Sequence, residues 1–155
     1  MPEVMHYLHF FNFKNRPMLN LRLFQAIEIS IPSGSTLTRY FFQDQSQLRN
    51  AAINAIQIFT PGNMTATPVT GSTPVTLADL KKATLTLYSG DLQVILNLPL
   101  LSLNNISNGT DPYVFELPNI DGVVISWVKS YVTFATAPAT TNVAISFGAY
   151  YRLPQ

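Results

Sequence analysis

Cysteine is missing from this 155-residue chain. That excludes a disulfide framework, a thiolate nucleophile and a cysteine-based zinc site, and it fits folding in a reducing cytoplasm. Charge is scarce as well: Asp, Glu, Lys and Arg make up 11% of the residues, against about 25% in an average globular protein. The net charge of +1 lacks the basic stripe that draws a protein to nucleic acid. No apolar run reaches the ~20 residues of a spanning helix. The N-terminus, M-P-E-V-M-H-Y-L-H-F-F-N-F-K-N-R, has neither the basic start nor the continuous apolar core of a signal peptide. A soluble, unsecreted product with no transmembrane segment is expected.

Hydrophobic residues reach 47%, so the chain has the means to bury a core and one domain is the simplest reading. Its polar part is carried by Thr, Asn, Ser and Gln. Neutral hydrogen-bonding groups cost less to bury than charges, which suits permanent contact with neighbouring subunits. A β-rich domain explains the same composition, because strands favour Thr over Lys and Glu.

The strongest pattern is a C-terminal ribbon, Val123 to Leu153. Val143, Ile145, Phe147, Ala149 and Tyr151 alternate with Ala144, Ser146, Gly148, Tyr150 and Arg152, the period of a strand. The first arm carries Val124, Val128, Val132 and Phe134 on one parity and Ile125, Trp127 and Tyr131 on the other. It reads as an interior strand covered on both faces. Joined by T-A-P-A-T-T, the two arms predict a long β-hairpin at the centre of the fold. Upstream, Leu19 to Ile31 predicts a strand bulged near Gln25, and Thr36 to Gln43 and Ala55 to Thr60 predict two more. Leu77 to Lys82 reads as a short helix or a 3-10 turn. Ala83 to Tyr88 and Leu92 to Leu98 form a tight hairpin around Ser89-Gly90-Asp91, and Pro99 limits its second arm to an edge or a last rung. Tyr113 to Leu117 adds a short strand. Residues 61–76 make a long Thr/Pro/Gly loop, exposed or facing a partner. Eight or nine short strands with no long helix predict an all-β antiparallel sandwich, most simply a jelly-roll. An immunoglobulin-like sandwich is the alternative. Residues 1–18 read as an N-terminal arm and 19–155 as the single sandwich domain.

Chemistry is thin. The eight carboxylates fall mostly in predicted turns, where an Asp side chain caps its own backbone. A hydrolase would need Asp44, Asp111 or Asp121 to converge with a partner acid or histidine across a cleft. His6 and His9 lie in the first nine residues, where a rigid triad or metal site is hard to hold. No phosphate loop, nucleophile elbow or H-E-x-x-H is present. The sequons at Asn63, Asn105 and Asn108 are what chance gives in an Asn- and Thr-rich chain. No catalytic residue, metal ligand or cofactor is assigned. Trp127 reads as core; exposed, it or Tyr113, Tyr150 and Tyr151 would make a sugar-stacking surface. In the arm, Tyr7, Phe10, Phe11, Phe13, Lys14 and Arg16 are the candidate subunit contacts: aromatic anchors followed by two cations.

R-Y-F-F-Q-D-Q-S-Q-L-R-N, A-D-L-K-K-A-T-L-T-L-Y, L-N-L-P-L and S-W-V-K-S-Y-V-T-F resemble the strands of small bacteriophage virion proteins, the single jelly-roll capsid and penton (vertex) proteins of tailless icosahedral phages. The resemblance spans Leu37 to Tyr151 and lies in strand order and composition. It implies a non-enzymatic structural subunit made in the host cytoplasm and resident in the virion. Such a subunit is a homo-oligomer, a pentamer if it sits at a vertex, docked on other capsid proteins. The lack of a strongly basic arm departs from the pattern and argues against genome binding. A carbohydrate-binding or receptor-binding sandwich is the competing expectation.

Overall fold

The computed structural model describes residues 22–60, 73–103, 106–107, 111–112, 114–119 and 121–152. The strands are β1 (Leu23–Ile31), β2 (Arg39–Phe41), β3 (Ala52–Phe59), β4 (Thr73–Pro74), β5 (Ala83–Ser89), β6 (Leu92–Pro99), β7 (Ile106–Ser107), β8 (Asp111–Pro112), β9 (Phe115–Glu116), β10 (Val123–Val124), β11 (Tyr131–Phe134) and β12 (Val143–Arg152). One short helix, α1 (Leu77–Leu80), and 3-10 turns at Ser46–Leu48, Leu100–Leu103 and Trp127–Lys129 interrupt them. The fold is an all-β sandwich, as the short alternating runs predict.

The first sheet runs β1-β12-β3, with β9 and β10 end to end along the far side of β3 and β4 beside the start of β12. The second runs β2-β11-β5-β6. Apart from the parallel β4–β12 bridge, the pairings in both sheets are antiparallel. The pairings are nested: β1 with β12, β2 with β11, β3 with β9 and β10, β5 with β6. The chain is thus folded back on itself from its middle, the β5–β6 hairpin, and rolled into two layers.

Between the layers, Ile27, Ile29, Ile31, Ile56, Ile58, Ile145 and Phe147 of the first sheet face Tyr40, Leu85, Leu87, Val132 and Phe134 of the second, all in one buried cluster. Phe42 stitches the sheets together, with its ring centroid 5.3 Å from Phe147 and 5.2 Å from Trp127. Trp127 is 3% exposed; it is core, as its place among apolar residues predicts.

The ribbon folds differently from the expected hairpin. Its first arm breaks at the Trp127–Lys129 turn, so β10 lies in the first sheet and β11 in the second. The arms β11 and β12 then occupy opposite sheets, each as an interior strand. Eight residues, 135–142, separate them, enough to span the ~10 Å between layers. Asn142, at φ 58°, turns the chain into β12, a left-handed conformation that Asn tolerates better than most residues. Two apolar parities in the first arm therefore reflect a change of sheet, not burial on both faces. Val124 and Val128 are exposed. It is β12 whose first seven residues are buried on both parities.

The bulge also lies elsewhere. β1 pairs with β12 without a break from Leu23 to Ile31. The register shifts instead between β12 and β3, where Tyr150 faces Ala55 and Tyr151 faces Ile53, leaving Asn54 as the extra residue. The β5–β6 hairpin, its Gly90 at φ 60°, forms as predicted; β6 is an edge strand and Pro99 its last rung, opposite Thr84.

Candidate functional site

Two outward-facing features gather chemistry. The first is a cleft of about 500 Å³ at one end of the first sheet, lined by Arg22, Asn54, Glu116, Leu117, Pro118, Asn119 and Arg152. Asn54, the extra residue of the bulge, is one of its walls, and an extra residue of this kind re-aims a side chain. Asn54 Oδ1 accepts from Arg22 Nε at 2.9 Å, while the Asn54 carbonyl accepts from the Leu117 amide at 2.8 Å. Arg22 Nη2 donates to both carboxylate oxygens of Glu116 at 2.9 Å. The same guanidinium lies 5.1 Å from the Tyr150 ring centroid. Tyr150 in turn donates its hydroxyl to Gln57 Oε1 at 3.2 Å. Arg22 is thus held on three sides. Arg152, at the end of β12, contrasts with it: its Nε–H is buried and has no hydrogen-bond partner.

The second feature is an aromatic row on the outer face of the second sheet. Phe41 on β2 faces Tyr131 on β11 in register, with ring centroids 5.4 Å apart. Tyr88 on β5 extends the row at 6.3 Å, and the Arg39 guanidinium covers the Tyr131 ring at 4.4 Å. Phe41 is 49% exposed.

Of the carboxylates singled out for hydrolysis, Asp44 and Asp121 are each engaged elsewhere, and the Asp111 side chain lies outside the described residues. Asp44 is taken by Arg49, and that hydrogen bond holds its pKa below the usual carboxylate value. Asp91 pairs with Lys129, with the same effect on its pKa. Asp121 sits in the exposed turn before Gly122, where its amide donates to Asn119 Oδ1. Asp79 is 4% exposed and structural. Burial pushes its pKa up, but the amides of Ala139 and Thr140 and the hydroxyls of Thr76 and Thr140 outweigh that and hold it below 3.8. Thr76 and Asp79 also cap α1, with Thr76 Oγ1 accepting from the Asp79 amide at 3.3 Å. Among the described residues no group of three or more His, Cys, Asp or Glu is placed to hold a metal ion.

Of the aromatic residues considered for stacking, Trp127 is buried, Tyr150 is half-buried beneath Arg22, and Tyr151 packs against the core. Tyr113, the histidines, most of the 61–76 loop and the arm contacts Tyr7, Phe10, Phe11, Phe13, Lys14 and Arg16 lie outside the described residues. Sequence reasoning missed Arg22, Asn54 and Arg152, and also Phe41, Tyr88 and Tyr131 as a surface row. The one local signal for the row is that Phe41 and Tyr131 each have the opposite parity to a core neighbour, Tyr40 or Val132. Among the described residues no helix is long and apolar enough to cross a membrane. Comparison with protein-family models, with curated proteins and with solved structures finds no match to this chain.

Proposed function

We propose that the chain is a non-enzymatic structural subunit of a viral capsid, a minor capsid, penton or vertex protein that self-assembles and docks on other capsid proteins. The observation that carries this reading is the nested strand pairing. First-with-last pairing, repeated inward to the β5–β6 hairpin, is what two interlocked Greek keys produce, and it supports a jelly-roll, an architecture that recurs in capsid subunits. Fold alone does not carry function; the surface adds to it. Charge is sparse, and Phe41, Leu92, Leu96 and Val128 expose large apolar side chains on or beside the second sheet, the composition of a contact face. Sedimentation velocity over a wide concentration range tests the reading, alongside a search for the chain in purified particles. Closed oligomers of one size support it. A strictly monomeric protein absent from particles overturns it.

The aromatic row favours a second reading, a carbohydrate-binding or receptor-binding module, because clustered aromatic rings beside an arginine, meeting edge-on and tilted, offer apolar and polar contacts to a sugar. Reproducible glycan-array binding that Tyr131→Ala abolishes would establish it.

A further inference from the structure

We infer that the backbone of β6 keeps the strand of a second copy from adding to the second sheet, so that copies of this chain meet through their faces and not through one continuous sheet. That sheet has two edges, β2 and β6. β2 is three residues long, too short to template a partner. β6 is eight residues long, and its segment Leu92–Leu98 has the composition that pairs with copies of itself. Five of these seven residues are aliphatic, and none is charged, Pro or Gly. Leu92 and Leu96 are 69% and 60% exposed, and among the described residues no strand pairs with the outer side of β6. Proteins commonly guard such an edge with lysine; β6 has none.

The protection lies in the main chain instead. The eight residues of β6 run beside six of β5, Thr84 to Ser89, so the strand carries two extra residues, and the register shifts between Leu85 and Leu87 and again between Leu87 and Tyr88. Each bulge bends the strand, adds twist and interrupts the even row of amides and carbonyls that a second strand needs. In the first of them Asn97 takes φ 50°, a left-handed conformation foreign to an extended strand. Its amide is already used, donating to Thr86 Oγ1 at 3.3 Å. Pro99, the last rung, has no N–H to offer. A strand laid along β6 therefore meets a bent edge with no donor free at positions 97 and 99. The inference goes beyond the capsid reading and does not depend on it, since it concerns which contact is closed and not what the assembly is.

The test follows the full-length protein by sedimentation velocity and by hydrogen exchange, with the fluorescence of the buried Trp127 as a check that the core stays folded. The main variant combines Asn97→Val, which disfavours the left-handed turn, with Pro99→Thr, which restores a donor. It is expected to self-associate about tenfold more strongly or better, with amide exchange slowed across Leu92–Leu98 and Trp127 emission unchanged. Adding Leu96→Lys, a charge at an exposed edge position, reverses that gain. Asn97→Gly adopts the same φ freely and is expected to associate no more than the unaltered protein. Ile145→Val, a core change in the other sheet, controls for lost stability. If the double variant does not fold, Pro99→Thr alone is read by the same criteria. An association no stronger than that of the Ile145→Val control, or a gain without protection of Leu92–Leu98, overturns the proposal. So does Asn97→Gly associating as strongly as the double variant, or slowed exchange across Leu92–Leu98 in oligomers of the unaltered protein, which would make this edge an interface.

Discussion

The ring of Phe24 fills the space that a side chain at position 148 would need: a Cβ built on Gly148 falls 2.5 Å from Phe24 Cε2 and 3.4 Å from Phe59 Cε2. The glycine is there for room. Phe24 meets Tyr150 and Phe59 edge-on at 5.2 and 6.3 Å, and a methyl group on residue 148 pushes it off both. Being 47% exposed, the ring has somewhere to go, so Gly148→Ala costs only about 1 kcal/mol. In a Phe24→Ala background the sign reverses. Alanine then restricts the unfolded chain without a clash and stabilises by about 0.5 kcal/mol. Urea unfolding of the four proteins measures the coupling. Equal effects in both backgrounds mean that the ring does not claim the space.

Trp127 carries a buried Nε1–H with no hydrogen-bond partner. Trp127→Ala leaves a large cavity beside Phe42 and costs about 3–5 kcal/mol. Trp127→Phe removes the unpartnered donor along with part of the ring, and the two effects oppose each other. Its cost is expected to stay under about 1.5 kcal/mol. Thermal unfolding followed by circular dichroism distinguishes the two; a phenylalanine variant as unstable as the alanine one would show that volume alone matters.

Asp79 ties α1 to the segment before β12 through the Ala139 and Thr140 amides, each at 3.2 Å. Its folded pKa is depressed below 3.8, so its stabilisation is present in full above that value and is lost as pH falls through the folded pKa. Asp79→Asn removes the charge and costs about 2 kcal/mol near neutral pH. It also flattens the acid limb: between about pH 5 and about pH 2 the variant loses less stability than the unaltered protein. Parallel acid limbs in urea titrations at several pH values would contradict this account.

Phe41 is the most exposed member of the aromatic row, and its packing partner Tyr131 stays anchored by β5. Phe41→Ser is therefore expected to leave the melting temperature nearly unchanged, with a loss of about 1 kcal/mol or less. The same change shifts sedimentation toward smaller species if this face joins subunits. Unaltered oligomers would move the contact to another surface.

Local chemistry made part of this fold legible. The 83–98 hairpin follows from two alternating runs around Gly90, and the buried Trp127 from its apolar neighbours. The division of the ribbon between sheets was not legible, because Val124 and Val132 look alike in sequence although one is exposed and the other buried. The cleft depends on partners such as Arg22 and Glu116, 94 positions apart. Only the register of β1, β12 and β3 and the extra residue Asn54 bring them together, and no short window of sequence encodes that register. The chosen arm residues, Tyr7 to Arg16, fall outside the described residues.

The strand between β1 and β3 comes from residues 143–152. During synthesis, a chain that has emerged only as far as residue 142 holds the two flanking strands of that sheet with nothing between them. Ile27, Ile29, Ile56 and Ile58 then lack Ile145 and Phe147, the β12 side chains that lie between them in the sheet. Closure of that sheet must wait for β12, and pairing so distant in sequence is slow. Until residues 143–152 are made, β1 and β3 keep open edges, a state in which encounters between copies lead to aggregation unless chaperones shield them.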